Sequence, residues 1–249
     1  MLTSIRGIVA ASLLAGCGLA ATPALADEMD PPSDITVSGN AALVTDYRFR
    51  GVSLSNGNIA IQGGIDIGHS SGFYVGTWGS SLTSGAYGAI ELDIYGGWSG
   101  DIADGVSADI GVLYYAYPDG ISGADLDYVE FYGSLGFAFG PADASVGVAY
   151  APDQDSLGDQ DNLYVYLDLG AGIPDTPISV SAHLGYTDGV LAPDLLAGGP
   201  DDSGFDWSIG ADFAVTDNLS VGVAYIGTEG ASVKNFTDDA VVGTLSVSF

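Results

Sequence analysis

Arg48 and Arg50 stand in a chain that carries almost no other positive charge. Of its 249 residues, 32 are acidic and four basic, for a formal net charge of −28. Past position 26 the cations are Arg48, Arg50 and Lys234. In an extended segment successive side chains point to opposite faces, so both arginines share one face with Asp46, against Tyr47 and Phe49. Acids in the same phase recur along the chain at Asp66, Glu91, Asp93, Asp109, Glu130, Asp168, Asp206 and Asp212. Two chemistries fit this set. In one, the arginines pair with carboxylates such as Asp46, Glu91 or Asp93, which fixes neighbouring strands in register. In the other, a positive wall faces a negative one across a constriction and orients polar solutes. Acidic walls around a passage would favour cations over anions.

Other chemistry finds little support. A nucleophilic site needs a serine or cysteine beside a base, and the histidines are His69 and His183. No nucleophile elbow, zinc motif or phosphate-binding glycine loop occurs, so the reading is a non-enzyme without cofactor or metal. The loop Asp153–Asp161 has carboxylates at every other position and could offer hard oxygen ligands to calcium. It lacks the EF-hand pattern, and a solvated acidic loop is the favoured reading. The charge repels phosphate backbones, which excludes nucleic acid as a partner. Tyr132, Tyr164 and Tyr166 share the polar phase, where they could stack on sugars. Tyr47, Phe49, Trp98, Tyr114, Tyr150, Tyr186 and Trp207 fall near segment ends, as membrane-interface girdles do.

The elements that must position these residues are strands. Alternation recurs in twelve segments, at about 35–50, 59–68, 72–82, 89–98, 106–116, 127–139, 144–150, 162–171, 178–187, 205–215, 219–226 and 240–249. Ile59, Ile61, Ile65 and Ile67 oppose Gln62 and Asp66, for example, and Leu163, Val165, Leu167 and Leu169 oppose Tyr164, Tyr166 and Asp168. The 72–82 segment is ambiguous in phase, with Phe73 and Val75 against Tyr74 and Trp78. Connections after even-numbered segments are short and those after odd-numbered ones long, apart from 83–88. Short periplasmic turns alternating with long outer loops are the layout of an outer-membrane barrel with both termini in the periplasm. Open sheet edges cannot sit in hydrocarbon, so the strands must close into a ring. The predicted fold is an all-β, antiparallel, up-and-down transmembrane barrel of twelve strands over residues 35–249, with a narrow, partly lined lumen.

The ends agree. Arg6 precedes an apolar run from Ile8 to Leu19, and Ala24-Leu25-Ala26 offers a small-x-small cleavage site. Residues 1–26 read as a secretory signal peptide and 27–34 as a short N-terminal segment. Leu14-Ala15-Gly16-Cys17 gives an alternative, lipoprotein-type cleavage before Cys17. The last segment runs to Phe249, an aromatic on the outward face of the closing strand.

Several segments, in order, resemble one family: Thr45-Asp-Tyr-Arg-Phe-Arg-Gly-Val-Ser53, Gly72-Phe-Tyr-Val-Gly-Thr-Trp-Gly-Ser80, Glu91-Leu-Asp-Ile-Tyr-Gly-Gly-Trp98, Tyr114-Tyr-Ala-Tyr-Pro118 and Tyr128-Val-Glu-Phe-Tyr-Gly133. The chain resembles the TorF family of outer-membrane porins, also known as the Gcw_chp family. The matches span the first half of the chain after the leader; beyond about 140 the texture is that of barrels in general. The resemblance implies an outer-membrane barrel with a pore, no catalytic residues, and Phe249 as the signal read by the barrel-assembly machinery. The expected role is passive passage of small polar solutes through the bacterial outer membrane, with lipid as the surrounding partner. The alternative is a non-conducting structural or adhesive barrel whose lumen is plugged by its own side chains.

Overall fold

A computed structural model describes residues 34–249. The leader and its two cleavage sites, including Cys17, lie outside the described residues. Twelve antiparallel strands form a closed barrel: β1 (Ile35–Val44), β2 (Ala60–His69), β3 (Phe73–Ser84), β4 (Gly88–Ala103), β5 (Val106–Ala116), β6 (Tyr128–Phe139), β7 (Ala142–Gln154), β8 (Gln160–Gly172), β9 (Ile178–Gly189), β10 (Ser203–Ala214), β11 (Leu219–Thr228) and β12 (Ala240–Ser248). Each strand pairs with its sequence neighbours, and β1 closes the ring on β12 through Asn40–Ser248 to Val44–Thr244. Beyond this ladder, Gly39 and Phe249 exchange backbone hydrogen bonds of 2.9 and 3.0 Å. The Phe249 ring lies against Gly39, where any side chain would collide with it. Among the described residues closure leaves no edge of the barrel sheet unpaired, which is what a sheet surrounded by hydrocarbon requires.

Alternation sets the two faces of the wall. Ile61, Ile65, Ile94, Ile110, Phe131, Val165, Ile209 and Val241 are among the many large apolar side chains exposed around the outside. An apolar belt around a closed barrel is the surface that lipid covers, and it places the protein in the outer membrane. At its outer rim Tyr114 bonds Asp127 and Tyr150 bonds Asp161, and Tyr225 is likewise bonded to Asp239. Each of these tyrosines ties a strand to the base of a loop. The ambiguous phase of β3 resolves with Phe73 and Val75 outward and Tyr74 and Trp78 inward.

The inward face explains why the chain holds 38 glycines and 14 tyrosines. Tyr95 lies across Gly76, Tyr132 across Gly111 and Tyr166 across Gly147, each on the directly paired residue of the next strand. A β-carbon on any of these glycines would come within 2.5 Å of the facing ring. Glycine opposite an aromatic lets the ring lie flat on the backbone and covers an otherwise bare stretch of sheet. These glycines therefore serve the lumen wall as well as the turns.

One expected element changes. The first strand ends at Val44, well short of position 50, and the chain turns into the barrel mouth. Residues 48–53 form a second, two-stranded hairpin, Arg48–Phe49 against Val52–Ser53. Its turn is Arg50-Gly51, with φ of +47° and +79°. Positive φ at both central residues is the signature of the type I′ turn that matches strand twist. Tyr47 and Phe49, expected in the outer girdle, are inside: Tyr47 is 1% exposed.

Candidate channel constriction

The inserted hairpin is built around Asp46. One carboxylate oxygen accepts from Ser53 Oγ at 2.5 Å and Ser55 Oγ at 2.9 Å; the other accepts from Arg48 Nε at 2.6 Å. The Tyr47 amide donates to Ser55 Oγ, and the Leu54 amide to the Tyr47 carbonyl. Arg48 also donates to the carbonyls of Gly51 and Asp238. A buried carboxylate with three donors is well satisfied, so the hairpin is a stitched unit rather than a loose loop.

From this unit, contacts cross the lumen to several walls. Tyr47 Oη donates to Glu91 on β4 at 2.6 Å. Arg50 Nη2 meets both oxygens of Glu130 on β6, at 2.9 and 2.8 Å. The guanidinium lies 4.2 Å from the ring centre of Tyr164 on β8 and 4.7 Å from that of Phe49. The turn also presses on the opposite side: a β-carbon at Gly51 would sit 2.3 Å from Thr228 on β11 and 3.0 Å from Asp206 on β10. Backbone bonds from Thr83 to Leu54 and from Ser53 to Phe236 tie it to the rim. Burial is the largest influence on Arg50 and works against its charge, but the facing Glu130 carboxylate together with the rings of Tyr115, Tyr128 and Tyr164 outweighs it, and the pKa of Arg50 rises. For Tyr47, burial first and then the charge of Glu91 push the phenol up.

Around the hairpin the outer half of the lumen is packed with aromatic rings. Tyr115 and Tyr128 stack at 4.3 Å between centres, Phe49 packs edge-on to Tyr115, and Tyr47 tilts against Trp78. Tyr115 and Tyr117 hand their hydroxyls to Glu130 and Glu91. Below this layer the wall is polar, with Asp66, Asp168 and Asp212 part-exposed and Asp109 and Asp206 buried. Asp66 accepts from Tyr95, Asp109 from Tyr74, and Asp168 and Asp206 flank His183 at 2.6 and 3.1 Å. Tyr164 Oη completes the His183 group at 2.7 Å, and Asp212 is part-exposed nearer the inner end.

The sequence placed Asp66, Glu91, Asp93, Asp109, Glu130, Asp168, Asp206 and Asp212 on the inward face, and all occupy it. Asp46, Arg48 and Arg50 also reach the lumen, but on the hairpin rather than on β1. Their partners differ in part from expectation: Arg48 takes Asp46 and Asp238, and Arg50 takes Glu130, while Glu91 serves tyrosines. Asp93 is fully buried, with no hydrogen-bond partner for either oxygen among the described residues. Tyr115 and Tyr128 were not singled out from sequence, although they share the phase of Asp109 and Glu130. Among the described residues no three histidines, cysteines or acids converge as a metal site. The Asp153–Asp161 loop instead gives Asp161 to Tyr150, while Gln154 bonds the backbone of Val129.

These features define a transmembrane barrel with a hairpin folded into its outer mouth. The chain belongs to the Gcw_chp family, described as bacterial proteins of unknown function, whose model matches residues 28–249. No curated protein matches it by sequence. Its fold is that of the KdgM porin, with a TM-score of 0.58 at 7% identity over 85% of this chain and 98% of that one. A KdgM porin in complex with disordered oligogalacturonate gives 0.56 at 7% identity, over 86% and 97%.

Proposed function

We propose that the protein is a porin-like barrel of the TorF type that lets small polar solutes, cations preferred, cross the outer membrane. The observation that carries this reading is a closed barrel whose inward face, beneath the hairpin, carries the part-exposed acids Asp66, Asp168 and Asp212. An apolar interior would stabilise a purely structural barrel without the cost of burying charge. The similar KdgM porin has been captured with oligogalacturonate, a polyanion. The acids of this lumen would repel such a solute, so the shared fold carries a different charge preference here. Residues 1–26 serve as the signal peptide, and lipid and the barrel-assembly machinery are the partners in biogenesis. The machinery reads Phe249, so its deletion lowers the amount of folded barrel in the outer membrane; undiminished assembly would count against that role.

The aromatic packing around the hairpin favours a second reading, a plugged, non-conducting barrel with a structural or adhesive role. Planar bilayers separate the two. The porin reading expects discrete conductance steps and a reversal potential toward the cation in a potassium chloride gradient. Silent membranes reject the pore, and a chloride-directed potential rejects the cation preference.

A further inference from the structure

The walls that receive Arg50 form a pocket with its own chemistry. Glu130 supplies two carboxylate oxygens, Tyr115 orients one of them with a bond of 3.0 Å, and the Tyr164 ring supplies an aromatic face. Carboxylate plus ring face is a recognition pattern for guanidinium and alkylammonium groups. The occupant is held imperfectly. Arg50 Nη1 is buried with no hydrogen-bond partner among the described residues, and its backbone takes a left-handed φ that side-chain-bearing residues disfavour. The pocket's surroundings also hold more carboxyl groups than the hairpin pairs. Arg48 is matched by Asp46, which leaves Arg50 to face Glu130 with Glu91 and Asp93 on the neighbouring wall. Asp93 is wholly buried and its oxygens have no hydrogen-bond partner among the described residues.

We propose that the Glu130–Tyr164 pocket is a binding subsite for small guanidinium- or alkylammonium-bearing solutes, which Arg50 fills from within and which such a solute takes over by displacing it. The idea rests on the porin reading for its physiological use, but not for its test. Because the hairpin is stitched to itself around Asp46, Arg50 can withdraw while the rest of the unit keeps its internal bonds. The residue thus acts as a tethered competitor, and solutes that lack a planar or compact cation do not dislodge it.

The experiment uses the refolded full-length mature barrel in detergent, with folding checked by heat-modifiable electrophoretic mobility. Ethylguanidinium is titrated against wild type, Arg50→Ala, and the Arg50→Ala/Glu130→Gln double variant, with urea as the uncharged control of similar shape. The Arg50→Ala protein should show a saturable rise in melting temperature with ethylguanidinium and none with urea. Wild type should need at least about a hundredfold more ligand, since the buried Arg50–Glu130 pair must open first and the competent state is sparsely populated. The double variant should not respond. A flat titration of Arg50→Ala, an equal response to urea, or binding by the double variant would each overturn the subsite. If the alanine variant does not refold, wild type carries the test, and a flat titration there overturns the proposal. Bilayer recordings address the porin reading separately: silent membranes with saturable binding reject the pore and keep the subsite, and steady conductance with flat titrations does the reverse.

Discussion

The outer and inner halves of the lumen use the same residue types to opposite ends. In the outer half Tyr47, Tyr115, Tyr128 and Trp78 enclose the hairpin, and Glu91 and Glu130 are each about 1% exposed. In the inner half Tyr74 and Tyr95 hold Asp109 and Asp66 against the wall, and no hairpin enters between them. The difference comes from one segment. A barrel of twelve strands is too wide for its own side chains to fill throughout, and it is filled where an extra hairpin enters. Tyr115 and Tyr128, which face the hairpin, join the core with it, whereas the half-buried Tyr95 and Tyr166 lie on glycines of the adjoining strand. Charge follows much the same division: outer carboxylates are buried among rings, while Asp66, Asp168 and Asp212 keep contact with solvent and Asp109, in the inner half, is buried.

The largest expected effect comes from erasing the contrast. Replacing residues 46–58 by a short glycine-serine link should raise single-channel conductance several-fold in planar bilayers; unchanged conductance would mean the hairpin is not the constriction. Glu130→Gln attacks the outer half more gently. It leaves Arg50 buried without its counter-charge, and loss of one partner of a buried pair costs about 3–5 kcal/mol. Urea unfolding from detergent or lipid checks this, and a loss below 1 kcal/mol, roughly the value of an exposed pair, would place the site in water. Ile94→Arg, midway along β4 on the lipid face, should cost about 2–4 kcal/mol by the same assay. An undisturbed barrel there would contradict the assignment of inside and outside. Asp212→Asn in the inner half should change stability by no more than about 0.5 kcal/mol. It should still lower the cation preference measured by reversal potential, because its charge reaches the open lumen. A stability loss as large as that of Glu130→Gln would dissolve the distinction between the halves.

The segments that are easiest to read in the sequence are those whose meaning is local. The alternation of Leu163, Val165, Leu167 and Leu169 with Tyr164, Tyr166 and Asp168 places each side chain in or out whatever strand lies beside it. The Gly–Tyr pairs were hidden because glycine has no phase of its own. Gly111 acquires its role only when register sets Tyr132 opposite. The stretch 45–53 misled for a related reason. Tyr47, Arg48, Phe49 and Arg50 alternate as well in a separate hairpin as in a continued β1, and alternation does not record which sheet the strand joins. Arg50-Gly51 gives only a weak turn signal, since Asn-Gly or Asp-Gly is the usual pair for that geometry.

By itself the sequence determined that the chain closes into a twelve-stranded barrel, which face meets lipid, which acids face inward, and where loops are long or short. Those properties follow from period-two patterning and from the rule that no strand edge can stay open in a membrane. Only the tertiary structure decided that the first long loop folds inward, that Arg50 crosses to Glu130 eighty residues away, and that Asp93 is left without a partner. Contacts across a lumen depend on ring closure and register, which bring together residues far apart in the chain. No local pattern of residues encodes that distance.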